Sequence, residues 1–261
     1  MNVQPAQFFR EYALHRAAEG RGYSGVELFA LPDLRTGPFA RQWTVRARSF
    51  AAFVRHVVKA AERPQLHILD LGAGNGWLCH RLARLGHKPV ALDVRDDAID
   101  GLGAAAEFLR GRPELFERVA ASFDALPFPA ERFDITVFNA SLHYATDLGC
   151  TLFEASRVTR SGGVIAILDS PFYESASDGE AMVAEKRARA DAVFGARADV
   201  LLAPAFIEYL TPERLAAAMP ALSWSRRRVR YPLWYELRPL AARLKGRRKP
   251  SRFDLWTARV P

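Results

Sequence analysis

Residues 70–76 read Asp-Leu-Gly-Ala-Gly-Asn-Gly, three glycines in five positions at the close of the apolar run LHILDL. Glycine lets the backbone turn sharply and lets a ligand approach where a Cβ would otherwise stand. Asp70 sits two positions before the first glycine. An acid there is a poor neighbour for a pyrophosphate but a good one for an ammonium or, at one remove, a sulfonium. The dinucleotide fingerprint GxGxxG also fails, because its third glycine falls on Trp77. Asp93 then ends a second apolar run, KPVALDV, 17 residues after Gly76. A carboxylate at that place accepts hydrogen bonds from both hydroxyls of a ribose, and charge-assisted bonds of this sort contribute ~1.5–3 kcal/mol each. A glycine turn with a following acid also suits other adenosine ligands.

These residues need a sheet to hold them. From Gln65 onward, short apolar runs alternate with helical patterns: LHILDL, KPVALDV, RVAAS (118–122), FDITVFNA (133–140) and GVIAILD (163–169). Strands apolar on both faces belong to a parallel sheet covered by helices on each side. Such a sheet binds ligands outside the carboxyl ends of its strands, where strand order reverses, and the glycine turn opens a helix at that place. A further helix is expected over Asp96 to Leu109. Upstream, 41–62 carries Trp43, Val45, Phe50, Phe53, Val54 and Val57 at helical spacing, preceded by a Gly20–Pro38 loop. Beyond Asp169 a charged helix is expected near Asp178 to Val193. Another spans 210–219, with Thr211 as N-cap and Pro212 at its first position. WSRRRVRYP and FDLWTARV are candidate strands that finish the sheet as a hairpin-like edge.

Four stretches, in order, resemble the class I S-adenosylmethionine-dependent methyltransferases, in particular the small-molecule branch typified by the quinone C-methyltransferases with a type 11 methyltransferase domain. They are LDLGAGNG with Asp93, SFDALPFPAERFD (122–134), FDITVFNASLHY (133–144) and RVTRSGGVIAILD (157–169). The likeness covers about residues 66–170. It implies an α/β fold: a doubly wound Rossmann-like sheet of seven strands, mostly parallel with the last antiparallel, plus an N-terminal helical cap. The organisation implied is a cap at 1–65, a cofactor-binding core at 66–170, a variable substrate lid at 171–222, and closing strands with a basic patch at 223–261. The cofactor implied is S-adenosyl-L-methionine. Gly72 and Gly74 would pass under its methionine moiety, and Asp70 would orient the amino group directly or through water. Asp93 would hold the ribose, Val94 would pack on the adenine, and Asn139 would lie near the transferring methyl. Where the family often carries an acid facing the adenine amino group, this chain has Ser122, then Phe123. Asp124 substitutes if that loop is shifted.

Methyl transfer from a sulfonium asks the protein mainly for alignment and, with some acceptors, for a base. His143 is the candidate base, since it follows the fourth apolar strand and imidazole titrates near neutral pH; the competing reading is the first turn of a helix. Asp169 and Tyr173 stand after the fifth strand, as site residues or as parts of a turn fixed by Pro171. Tyr12, Tyr23, Trp43 and Arg46 are candidates for a lid, with Arg46 either paired to the methionine carboxylate or on a solvated helix face. The five other histidines show no metal spacing, and Cys79 and Cys150 read as core thiols in a reduced, cytoplasmic compartment.

The opening residues break with charges before an apolar signal core forms, and no uncharged apolar stretch is long enough to span a bilayer. The net charge of +8 is local: Arg226 to Arg252 holds eleven Lys/Arg and a single acid, Glu236. A small-molecule substrate, apolar or aromatic, is the expected partner. The patch leaves two other partners open, RNA or ribosome and an anionic membrane surface carrying a lipid substrate, besides a plain solvated face. Nucleic acid is disfavoured because the fourth strand ends Asn139-Ala140-Ser141-Leu142 rather than Asn/Asp-Pro-Pro-aromatic, and because no cysteine follows a proline.

Overall fold

A computed structural model describes residues 5–261, so residues 1–4 of the expected cap lie outside the described residues. Among the described residues seven strands form one sheet: β1 (His67–Leu71), β2 (Lys88–Asp93), β3 (Glu117–Ala120), β4 (Phe133–Asn139), β5 (Thr159–Leu168), β6 (Trp224–Arg227) and β7 (Leu255–Arg259). Their order is β3-β2-β1-β4-β5-β7-β6. β1 to β5 pair in parallel, and β7 is antiparallel to both its neighbours, so β6 runs in the same direction as β1 to β5. The sheet is therefore mostly parallel, with the last strand reversed.

Alternation along the strands divides the core into two layers. Ile68, Ala91, Ile135, Val137 and Ala166 pack with Leu31, Trp43, Phe53 and Trp77 on one face. Leu69, Leu71, Leu92, Phe138, Ile165 and Ile167 pack with Leu152, Leu210 and Trp256 on the other. All seven residues of β4 are buried; two of its polar members are paired, Asp134 accepting from the His67 amide at 2.7 Å and the Thr136 hydroxyl lying 2.8 Å from that of Thr159. The order reverses between β1 and β4, and this places the crevice at the ends of those two strands.

Several local expectations change. No α-helix covers Asp96 to Leu109; only a 3-10 turn, Ala104–Glu107, forms there. Asp97 Oδ1 accepts from the amides of Ile99 and Asp100, each at 3.0 Å. Gly101 and Gly103 then lie so close to the backbone of Asp96 and Asp97 that a Cβ would meet it at 2.8 and 2.5 Å. A side chain that bonds local amides outcompetes the helix here. The Gly20–Pro38 loop contains a short helix, Gly25–Ala30, anchored by buried Leu28. The 41–62 helix is Ala40–Phe53, continued by a π turn at Val54–Val58 and a 3-10 turn at Lys59–Ala61. The charged helix splits at Arg189 into Ala176–Ala188 and Ala190–Phe194. Thr211 caps Pro212–Ala218 by accepting from the Arg214 amide at 3.2 Å. Among the described residues no helix is long and apolar enough to cross a membrane.

Candidate functional site

The glycine turn leaves β1 at Leu71 and opens the helix Trp77–Arg84. Gly72, Gly74 and Gly76 have φ of 77°, 53° and 73°, a left-handed path that side chains disfavour. The amides of Gly72 and Ala73 both donate to the Leu92 carbonyl, at 2.8 and 2.9 Å, which pins the turn to β2. The Gly74 amide donates to Asp93 Oδ2 at 2.8 Å, and the Arg95 amide to Oδ1 at 2.9 Å. Burial raises the pKa of this carboxyl, and those two amides oppose the rise.

Beside the turn lies a cavity of about 460 Å³ whose wall includes Gly72, Gly74, Asp93, Val94, Ser122, Phe123, Asn139 and His143. Eight of the sequence-derived candidates thus meet in one place. Asp70 does not join them. It is fully buried behind the turn, where Cys79 Sγ donates to its Oδ2 at 3.8 Å and Oδ1 has no partner. Burial, then Asp93, pushes its pKa up to about 8. Ser122 Oγ and Asp124 bond each other, and Asp124 Oδ1 also accepts from Thr151 Oγ1 at 2.5 Å. The Asp124 carboxylate is therefore largely engaged within the protein.

Polar groups without partners gather on the same wall. Asn139 Oδ1, His143 Nδ1 and Asp169 Oδ2 are buried and accept nothing. Arg46, half-buried and over the Trp43 ring at 5.0 Å, has no carboxylate within 4 Å among the described residues. Burial lowers its pKa, and the charge of Asp169 opposes the fall most. Asp169 Oδ1 accepts from Ser49 Oγ at 2.5 Å, and Ser49 Oγ lies 2.8 Å from the Tyr231 hydroxyl. Burial raises the Asp169 carboxyl. Burial, with Lys186 and Arg46 adding, pushes His143 down to about 3. Ala140 and Asp169, directly after β4 and β5, take φ of 59° and 51°. Strained backbone of this kind concentrates at binding sites.

The helix Pro5–Ala18 covers the cavity with Phe8, Phe9, Tyr12 and Arg16. Arg16 holds Asp100 at 2.7 Å, and the Tyr12 hydroxyl meets that of Tyr144 at 2.9 Å. Phe8, Tyr12, Tyr144 and Phe206 form a closed circuit, with ring centroids 5.4–6.0 Å apart. Phe8, Arg16, Tyr144 and Phe206 escaped the sequence reading. The four-residue recurrence Phe8, Tyr12, Arg16 on one helix face was the available signal for the first two.

Other candidates are placed elsewhere. Tyr12 and Arg46 line the cavity, whereas Tyr23 and Trp43 are core, the indole N–H donating to the Tyr23 hydroxyl at 2.7 Å. Tyr173 lines a separate cavity of about 240 Å³, while Asp169 and Pro171 line the first. Cys79 is buried, but Cys150 is exposed and so is not a core thiol. Tyr231 and Tyr235 pack in the core.

The wall suits S-adenosylmethionine. Its amino-acid end carries an ammonium and a carboxylate, which match partnerless acceptors and an unpaired guanidinium in one cavity. Its ribose matches Asp93, and its adenine matches the 46% exposed Val94. A family model described as a methyltransferase domain matches residues 69–167. A malonyl acyl-carrier protein O-methyltransferase of Yersinia pestis is 30% identical over 98 residues, 38% of this chain and 34% of its own. The ubiquinone/menaquinone biosynthesis C-methyltransferase of Shewanella oneidensis is 30% identical over 160 residues, 57% of this chain and 63% of its own. The chain thus spans between one third and two thirds of these relatives. Among solved structures, a Burkholderia thailandensis 1,6-didemethyltoxoflavin N1-methyltransferase with bound S-adenosylhomocysteine shares the fold. It has TM-score 0.55, 18% identity, and coverage of 100% of this chain and 92% of that one. Residues 69–167 of this chain are thus similar to a methyltransferase domain.

Proposed function

We propose that this protein methylates an oxygen, carbon or nitrogen of a small apolar or aromatic metabolite. The observation that carries the reading is a single cavity whose wall joins the glycine turn and Asp93 to the aromatic circuit of Phe8, Tyr12, Tyr144 and Phe206. Flat aromatic walls favour flat or apolar guests. The C-methyltransferase and N1-methyltransferase relatives, whose names give a quinone and a toxoflavin precursor, fit such a guest.

S-adenosylmethionine, when bound, supplies a methyl group already activated on sulfur. The residues of this chain bind, orient and exclude water. Asp93 accepts the ribose hydroxyls, and Gly72 and Gly74 leave the room that side chains would fill. Arg46 pairs with the carboxylate of the amino-acid end, while Asn139 Oδ1 accepts from its ammonium. The helix Pro5–Ala18, fastened by Arg16 and Tyr12, keeps bulk water from the cavity. For an acceptor that loses a proton, two groups on the wall are available. His143 is neutral at working pH but holds a proton weakly, because burial opposes its charge. Asp169, raised by burial and with Oδ2 open, is the second.

The same fold also serves the cyclase SpnF, with TM-score 0.59 and 17% identity, so reaction chemistry needs its own test. Purified protein is incubated with a metabolite extract and methyl-labelled cofactor, and labelled products are identified by mass spectrometry. The expected result is label in a small apolar or aromatic compound, together with a melting-point rise on adding S-adenosylhomocysteine and none with NAD. Label confined to RNA or protein, or equal shifts with both ligands, overturns the reading.

A further inference from the structure

The segment between β6 and β7 carries a surface that the cavity does not use. Because β6 runs with β1 to β5, this link leaves the sheet at the same edge as the cavity, and its Phe253 lines the cavity wall. Within the link, helices Leu233–Glu236 and Arg238–Leu244 follow without a break. The Leu237 amide donates to the Leu233 carbonyl and the Ala241 amide to that of Leu237, each at 3.0 Å. Leu233, Leu237, Leu240 and Leu244 are 73%, 46%, 55% and 79% exposed. Spacings of four, three and four put them along one helix face. Tyr231 and Tyr235 are buried in the core, so the link is anchored on its other side.

The unpaired side-chain charge of the segment has one sign. Arg228, Arg248, Lys249 and Arg252 are paired to Glu236, Glu185, Glu174 and Asp254. Arg230, Arg243, Lys245 and Arg247 are exposed, with no carboxylate within 4 Å among the described residues. Trp234, 38% exposed, stands at the edge of the leucines. Exposed leucines in a row, an indole at their border and free cations beside them are the composition of a helix that lies in a lipid interface. Phosphates or bases alone would gain nothing from four leucines.

We infer that residues 233–247 dock this protein on an anionic membrane surface, the leucine stripe entering the acyl boundary and Arg230, Arg243, Lys245 and Arg247 meeting lipid phosphates. Docking by this link holds the cavity edge of the sheet towards the lipid, from which an apolar acceptor can partition. The inference concerns binding and stands apart from the proposed methyl transfer.

The test is co-sedimentation of the full chain with vesicles of phosphatidylcholine alone and of phosphatidylcholine mixed equally with phosphatidylglycerol. Wild type is expected to sediment with the mixed vesicles only. Leu240→Asp/Leu244→Asp and Arg243→Gln/Lys245→Gln/Arg247→Gln should each bind at least about tenfold more weakly. All these side chains are exposed, so melting temperatures should match wild type and exclude misfolding. Absence of wild-type binding to mixed vesicles overturns the inference. So does undiminished binding by the leucine variant, which would mark a charge-only site for a polyanion such as RNA or an acidic protein.

Discussion

The amide of Gly74 and the amide of Arg95 hold the two oxygens of Asp93 at 2.8 and 2.9 Å, so the carboxylate proposed for the ribose is also the clasp of the glycine turn. Each oxygen keeps a second lone pair for a ligand. Asp93→Ala removes both the acceptors and the clasp. S-adenosylhomocysteine affinity is expected to fall by ~10–100-fold in calorimetry, about 1.4 kcal/mol for each factor of ten. Unchanged affinity would remove Asp93 from the site.

Gly72 separates two reasons for requiring glycine. Its φ is 77°, and an added Cβ would lie 2.4 Å from the Cβ of Ser141, whose Oγ is bonded to the Leu71 carbonyl. Gly86 has φ of 90°, but a Cβ added there would meet nothing within 4 Å. Gly86→Ala should cost only the left-handed penalty, about 1–2 kcal/mol. Gly72→Ala should add overpacking of about 1–3 kcal/mol. Urea denaturation of the two variants checks the order, and equal losses would count against crowding at Ser141.

The centre of the sheet was legible because β1, β2 and the end of β5 are buried apolar runs, and the glycine turn because its φ values leave few other residues. Over Asp96 to Leu109 the apolar Ile99, Leu102, Ala105 and Phe108 recur every three residues, a 3-10 rather than an α-helical period, while Asp97 and two close-packed glycines decide the backbone. Trp43 and Tyr23 are lid candidates by sequence, yet the Trp43 indole donates to the Tyr23 hydroxyl inside the core. The closure of the aromatic circuit was not legible. Tyr12 and Tyr144 are 132 positions apart, and only the fold brings their hydroxyls together. Asp70 has the right spacing for a ligand contact, but the chain turns in front of it.

That placement of Asp70 has a signature in pH. A carboxyl with a raised folded pKa contributes stability that is complete below its unfolded value and is lost as pH climbs through the folded one. For Asp70 the window runs from 3.8 to about 8. Asp70→Asn keeps the shape without the charge, so its melting temperature relative to wild type should rise steadily across that window. His80 and His143, both pushed down by burial, lose stability towards acid instead, but they are common to both proteins and cancel in the difference. A difference that does not vary with pH would mean that Asp70 titrates as an ordinary surface acid.

Arg46 offers a separation of ligand halves. An unpaired guanidinium on a cavity wall is costly to bury, and a carboxylate that reaches it recovers a charge-assisted bond of ~1.5–3 kcal/mol. S-adenosylhomocysteine carries such a carboxylate, and 5′-methylthioadenosine, with the same nucleoside and sulfur, does not. Arg46→Met should weaken the first by roughly 10–100-fold and leave the second within about twofold, with Arg46→Lys between wild type and Met for the first ligand only. Calorimetry with both ligands reads this directly. Equal losses for both would make Arg46 a structural prop of the cavity wall, and no loss for either would return it to the solvated face of its helix.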